Sequence, residues 1–391
     1  MSALEGRLRG ALASAHAHSQ YRVRRVVSGS HGVEVEVDGR RCANFCSNDY
    51  LGLAVDPRVA EAARDGLARY GTGSGASALV SGYNAEHRAL EEDLARFTGR
   101  PRALLFGSGW AANLGVLRAL LGREDALIAD ELNHASLIDG GRLSGARYLR
   151  VPHADVAGFE CALRETAALP LRIVATDGVF SMDGDLAPLA ALATLCREHD
   201  SALMVDDAHG FGVLGKTGRG ALEESGVVPD IHVATLGKAL GVAGAFVAGS
   251  QDLIEHLIQR ARSWVFSTAP PPALAAAARR ALAIAEAEPE RRATLRANIR
   301  RLRDGAGALG IPLLPSTTPI QPLVLGSEGA ALALSAELLR RGYWVAAIRP
   351  PTVPRGTSRL RITLSAAHTA TQVDGLLDAL AASLRALPRA A

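Results

Sequence analysis

Ala202-Leu203-Met204-Val205-Asp206-Asp207-Ala208-His209-Gly210 runs four apolar residues straight into two carboxylates, a small residue, an imidazole and a glycine. Continuous apolar character without alternation is what a strand needs when both of its faces are covered, as in a parallel sheet between layers of helix. The same signature recurs on either side. Apolar runs at 103–106, 126–129, 172–176, 231–235 and 243–248 stand between stretches of helical spacing. That alternation predicts an α/β fold with a mostly parallel sheet sandwiched by helices. In such sheets ligands bind beyond the carboxyl ends of the strands, so the polar residues after these runs are the first candidates for chemistry.

Outside the sheet the pattern changes at both ends. The opening stretch to about Ser19 has the spacing of an amphipathic helix, and Val33-Glu34-Val35-Glu36-Val37 alternates as a half-exposed strand or hairpin arm does. Residues 1–55 are therefore expected to form an N-terminal helix and arm, and 56–270 a large α/β domain. From about Pro272 to Leu309 the chain is rich in Ala and Arg with helical spacing, and Pro312, Pro315 and Pro319 follow. The remainder reads as a strand near 320–325, a helix over 330–341, strands at 343–348 and 359–364, and a closing helix from Thr369. With the linking helix, 271–391 is expected to be a small α+β C-terminal domain.

Composition excludes several classes. A chain of 391 residues, 48% apolar and 21% charged, is globular rather than disordered. No run approaches the ~18 apolar residues of a membrane span, and the first thirty residues interleave Arg7, Arg9, His16, His18 and Arg22 with alanine, unlike a signal peptide. No membrane partner is expected, and the cytoplasm is the expected compartment. With 43 basic against 40 acidic residues the formal charge is +3, and no basic run is interleaved with aromatics, so no nucleic-acid partner is expected. Cys42, Cys46, Cys161 and Cys196 form no CxxC pair, which predicts reduced thiols and no metal site. Lysine stands at just two positions, Lys216 and Lys238. A guanidinium does not lose its proton, so any covalent amine chemistry must use one of those two.

Four strand exits carry the candidates. Phe106-Gly107-Ser108-Gly109-Trp110-Ala111-Ala112-Asn113 passes from a strand through glycines into a helix whose free N–H groups favour a phosphate or carboxylate. A dinucleotide reading of this turn lacks the acidic ribose partner, and Gly71-Thr72-Gly73-Ser74-Gly75 follows no strand, so that stretch reads as a flexible loop. In the second segment Asp206 or Asp207 could hold a proton or cation while His209 donates to an oxygen; a metal pair or a helix cap is the plainer alternative, and Asp206 is favoured. In the third, Thr235-Leu236-Gly237-Lys238 sets an amine among apolar neighbours, where partial desolvation favours the neutral nucleophile. Lys216 sits in a loop-like segment, so Lys238 is the better nucleophile. The fourth pairs His134 with Ser181. A phosphate cradle, a strand-end acid, an imidazole and a lysine are together what a pyridoxal phosphate (PLP) site requires.

The strings Ser47-Asn48-Asp49-Tyr50-Leu51-Gly52, Ser81-Gly82-Tyr83-Asn84, Asp206-Asp207-Ala208-His209-Gly210, Gly218-Arg219-Gly220 and Thr235-Leu236-Gly237-Lys238 resemble those of the α-oxoamine synthases, fold-type I PLP enzymes, over nearly the whole chain. The resemblance implies a seven-stranded sheet in the large domain and a cytoplasmic homodimer with shared active sites. Lys238 would carry the Schiff base, Asp206 would pair with the pyridine nitrogen, His209 would donate to the ring oxygen, His134 would stack on the ring, and Ser181 would lie beside it. Gly109 and Trp110 would offer backbone N–H groups to the phosphate and Thr235 its hydroxyl, with Ser267 and Thr268 reaching it from the neighbouring subunit. Trp110 departs from the Phe or Tyr of the family, a change that a backbone contact tolerates. Arg361 would grip the amino-acid carboxylate, with Arg359 the alternative if the register slips by two. Asn48 and His134 would also meet substrate, Thr352 would line the acyl side, and Arg22 would meet the acyl substrate. Val80-Ser81-Gly82-Tyr83-Asn84-Ala85-Glu86-His87 and the 349–354 stretch are most similar to the members that join L-alanine to pimeloyl-CoA or pimeloyl-acyl-carrier protein in biotin synthesis. The alternative is a glycine- or serine-using member.

Overall fold

The computed structural model describes residues 2–386. They divide into two compact units: a larger one from Asp49–Ser181 and Asp185–Ala293, and a smaller one from the chain up to Asn48, Met182–Gly184 and the chain from Thr294 onward.

The larger unit is built on seven strands: Arg102–Phe106 (β1), Ala126–Asp130 (β2), Arg147–Val151 (β3), Arg172–Asp177 (β4), Ala202–Asp206 (β5), Ile231–Thr235 (β6) and Ala245–Gly249 (β7). Their spatial order is β1-β7-β6-β5-β4-β2-β3. β7 runs antiparallel to β1 and β6, and the remaining pairs are parallel. The apolar runs become buried strands: every residue of β2, β4 and β7 is buried. On one face Leu104, Leu127, Ile173, Met204, Val233 and Val247 form a single apolar layer with the helices above. β3 is the strand that the apolar runs did not reveal. It is an edge strand with Arg147 and Arg150 exposed, so it needs no continuous apolar run.

Register places the chemistry. Asp177 pairs with Asp206 across β4 and β5, so the last residues of two neighbouring strands set two carboxyl groups side by side.

The unit boundaries differ from the expected 55/56 and 270/271. The long helical region breaks into Pro272–Ala287 and Pro289–Ala308, because Pro289 excludes the residue before it from helical geometry, and Glu288 has φ −115° and ψ 68°. The first of these helices belongs to the larger unit: it lies so close to Pro57–Tyr70 that a Cβ on Gly66 would come within 2.7 Å of the Ala273 Cα. Alanine's small side chain permits that approach, and its helical spacing alone gave no sign of which unit it joined.

In the smaller unit the N-terminal arm is part of the C-terminal fold. The hairpin Glu34–Val37 and Arg40–Asn44 is extended by Tyr343–Trp344, which pairs parallel with Arg40–Asn44. A two-stranded hairpin cannot bury a face unaided. The expected strand 343–348 divides at Val345, and Ala346–Ile348 instead joins Ser358–Thr363, whose other neighbour is Ile320–Gly326. The opening helix Ala3–Ala17 is capped by Ser2 and Glu5 but buries none of its side chains; Leu4, Leu8 and Leu12 are exposed. Among the described residues no helix is long and apolar enough to cross a membrane.

Candidate active site

The strand ends of the larger unit surround a cavity of about 170 Å3, lined among others by Gly109, Trp110, His134, Asp177, Ser181, Asp206, His209, Thr235 and Lys238. The two adjacent aspartates separate cleanly. Asp206 lines the cavity, whereas Asp207 points away and is fully buried. The Asp207 carboxylate accepts the Ala221 N–H at 3.0 Å, and a Cβ on Gly220 would strike it at 1.7 Å. Burial pushes the Asp207 carboxyl well up from its ordinary value. Asp207 therefore anchors the first N–H of the short helix Ala221–Ser225, whose N-cap residue is Gly220.

Asp206 is held by a residue to which the sequence reading gave no role. The fully buried Asn113 donates one Nδ2 hydrogen to Asp206 Oδ2 at 2.6 Å and the other to Ser136 Oγ at 2.8 Å. Ser136 Oγ lies 2.7 Å from His134 Nδ1, and the Ser136 backbone N–H also reaches that nitrogen at 3.3 Å. With Nδ1 accepting, the imidazole proton sits on Nε2. Burial lowers the His134 pKa and the nearby lysine lowers it further, against the pull of Asp206, so the ring is held toward its neutral form. The Trp110 ring meets it edge-on, with centroids 6.0 Å apart.

Asp177 is the second carboxyl group without an assigned role. It is wholly buried, its Oδ2 accepts the His134 backbone N–H at 3.0 Å, and its Oδ1 has no hydrogen-bond partner. Desolvation first and the Asp206 charge second push its pKa well above the ordinary range. His209 is likewise oriented from a distance, by Tyr50, whose hydroxyl lies 2.6 Å from His209 Nδ1. No local signal could have found Asn113 or Tyr50, since their partners lie 93 and 159 residues away. Asp177 could have been found as the polar end of a buried run.

Lys238 stands three residues beyond β6 on a loop that turns back into β7. The loop is fixed by hydrogen bonds from Leu236 N–H to Gly244 O, Gly241 N–H to Lys238 O and Thr235 Oγ1 to Gly244 O. At Gly241, with φ +66°, a Cβ would come within 2.2 Å of the Ala54 backbone nitrogen, so only glycine lets the loop seat. Lys238 is thereby presented half-buried at the cavity.

The phosphate end is also legible. Helix Gly109–Leu120 begins at the cavity, has no acidic residue in its first turn, and is capped by Ser108 Oγ on the Ala111 N–H. A Cβ on Gly107 or Gly109 would meet nothing within 4 Å, so an anion can approach the backbone there. This donor-rich helix start, the strand-end acid and the amine fit a phosphorylated pyridine aldehyde.

Two other expected residues stand apart from this cavity within the larger unit. Ser267 and Thr268 are exposed and line a separate cavity with Tyr83, His87 and Glu91. In the smaller unit Arg361 is buried and donates to Asn48 Oδ1 at 3.2 and 3.3 Å, and Arg22 donates to Thr352 Oγ1 at 3.1 Å. Arg359 is committed to Asp183 and to the carbonyl of Thr357, just before its strand.

Comparison with known proteins gives one consistent result. The model of the family "Aminotransferase class I and II" matches residues 40–380. An 8-amino-7-oxononanoate synthase of Methylococcus capsulatus is 59% identical over 374 residues, covering 95% of this chain and 96% of that protein. Among solved structures, a serine palmitoyltransferase holding PLP is 29% identical with a TM-score of 0.94, covering 98% of this chain and 99% of that one. The 8-amino-7-oxononanoate synthase of Francisella tularensis is 31% identical with a TM-score of 0.77, covering 88% and 98%.

Proposed function

Because the chain belongs to the class I and II aminotransferase family, and within it stands among the 8-amino-7-oxononanoate synthases, we propose that it performs their reaction. It is a C-acyltransferase that condenses L-alanine with a pimeloyl thioester, releasing carbon dioxide, free thiol and 8-amino-7-oxononanoate in the biosynthesis of biotin. Its cofactor is PLP, which supplies an aldehyde for the amino-acid nitrogen and a ring that accepts the electron pair left at the α-carbon.

The chain's own residues supply the rest. Lys238 Nζ would hold the cofactor aldehyde, and the same amine is placed to take the α-proton of alanine and to return a proton at the end. Asp206, fixed by Asn113, keeps the ring nitrogen protonated. His134 covers the ring face with Ser181 beside the ring, His209 donates to the ring oxygen, and the backbone N–H groups of Gly109 and Trp110 with the Thr235 hydroxyl bind the phosphate. Arg361, supported by Asn48, binds the alanine carboxylate through its planar fork, while Arg22 and Thr352 receive the acyl chain. Ser267 and Thr268 serve the active site of a second copy in a cytoplasmic homodimer. The exposed apolar residues beside them, Leu79, Val80 and Phe266, support that arrangement.

The observation that carries this reading is the convergence of Lys238, Asp206, His134 and the Gly109 helix start on one strand-end cavity. Purified protein loaded with PLP is assayed for thiol and carbon dioxide release with alanine, glycine or serine, each with acyl thioesters bearing or lacking an ω-carboxylate. Turnover confined to alanine with the pimeloyl thioester is expected. Preference for serine with an uncarboxylated long chain would reassign it to the palmitoyl-transferring branch. Borohydride reduction followed by peptide mass spectrometry is expected to find the cofactor on Lys238.

A further inference from the structure

Joined to two segments that line the cavity is a cluster that the proposed chemistry does not use. His153 Nδ1 is 3.1 Å from both oxygens of Asp130, and its Nε2 is 2.8 Å from Asp185 Oδ2. A carboxylate accepts and does not donate, so each ring nitrogen must carry a hydrogen and the ring is an imidazolium. Asp130 ends β2 and is almost wholly buried. Its oxygens also take the N–H groups of Leu132 and Ala154, each at 2.8 Å. Ala154 is held at φ +54°, a region that residues other than glycine avoid, so the turn around His153 is specifically fixed.

Each end of this cluster leads to a different wall of the cavity. On one side the Asp130 turn continues through Leu132 and Asn133 into His134. On the other, the Asp185 carbonyl accepts the Phe180 N–H at 3.0 Å, and Val179 bridges Leu186. The Phe180 ring also stands edge-on to the His153 ring, with centroids 4.3 Å apart. Phe180 lies between Val179 and Ser181, both of which line the cavity.

We propose that His153 is a positioning residue which, as an imidazolium shared by Asp130 and Asp185, fixes the gap between the His134 wall and the Ser181 wall of the cavity. Its two carboxylate partners push its pKa up to about 10, which keeps the pin charged throughout the neutral range. The consequence for cofactor seating rests on the functional reading above; the charge and the geometry do not.

Two variants test this. His153→Phe keeps a ring against Phe180 but removes the charge, and Asp185→Asn takes the negative charge from one arm while leaving Asp130 paired. For His153→Phe, PLP titration of the cofactor-free protein is expected to show about tenfold weaker binding, with reduced induced circular dichroism of the bound ring. The value of kcat is expected to fall about tenfold with KM for alanine little changed, below the ~10²-fold that a 1 Å misplacement can cost. Asp185→Asn is expected to shift all three in the same direction by less. Wild-type values for both folded variants, or for Asp185→Asn should His153→Phe not fold, would overturn the proposal. In the cofactor-free wild type, nitrogen NMR near pH 8 is expected to find both His153 ring nitrogens protonated. A neutral ring would also overturn it, whereas failure of the wild type to bind PLP would count against the functional reading.

Discussion

Asp56 and Asp177 are both buried aspartates of the larger unit, and their surroundings drive them in opposite directions. Asp56 caps helix Pro57–Tyr70 and is saturated: it accepts from the Arg58 backbone and guanidinium and from Arg291 Nη2 at 2.8 Å, while Glu288 binds the same two arginines. Arg58 above all lowers its pKa to about 2. Asp177 accepts a single backbone N–H, keeps one oxygen unpartnered, and is driven well upward by desolvation and by Asp206. A carboxylate with every lone pair matched by a donor holds a fold together. One left short of donors at a cavity wall is available to a ligand, and the protein gives up some stability to keep it so.

The largest effect expected from this contrast is at Lys238. Lys238→Ala removes both the amine that holds the cofactor and the base, so turnover should fall by about 10⁴-fold, the upper range for a positioned acid–base group, with the melting temperature no lower than wild type. If more than a tenth of the activity remained, the cavity would not be where the reaction occurs. Next comes the Asp206 pair. Asp206→Asn is expected to cost about 10²-fold in kcat, and Asn113→Ala about tenfold, because a lost hydrogen bond to a charged group is worth ~1.5–3 kcal/mol. The two effects should be less than additive in the double variant, since both act through the same carboxylate.

How much of this could be read from the chain depends on how locally each feature is encoded. β1, β2, β4, β5, β6 and β7 were legible because strands buried on both faces must be apolar throughout, and the strand-end residues Asp206 and Lys238 followed from where such sheets bind ligands. β3 was not, because an edge strand can carry Arg147 and Arg150. The membership of Pro272–Ala287 in the larger unit depends on Gly66 meeting Ala273, a contact between residues 207 positions apart whose sequence signal is just two small residues. The division of 343–348 between two sheets left no mark beyond a continuous apolar run. In the site, residues that meet a ligand sit on recognisable turns, whereas those that orient them, Asn113, Tyr50 and His153, act across long sequence distances and look like ordinary structural polar groups.

The smallest activity effects sharpen the comparison most, because the two aspartates should respond to pH with opposite sign. Asp177→Asn keeps an oxygen for the His134 N–H, so kcat is expected to stay within about threefold of wild type at neutral pH, inside the ~1 kcal/mol range of a neutral hydrogen bond. The folded pKa of Asp177 lies above its ordinary value near 3.8, so the native state binds the extra proton and its stability declines as pH rises beyond about 4. Asparagine does not titrate, and the melting temperature of Asp177→Asn relative to wild type should therefore climb with pH from that point. Asp56 works the other way. Its folded pKa near 2 lies below 3.8, so its contribution is complete above about pH 4 and is lost as pH falls toward 2. Asp56→Asn should leave kcat unchanged and lower stability by about 2 kcal/mol at neutral pH, with the deficit vanishing in acid. Melting curves of both variants across pH 3 to 8 decide the matter: parallel rather than crossing differences would mean that Asp177 is ionised in the native state, and the distinction between a saturated and an available carboxylate would not hold at this site.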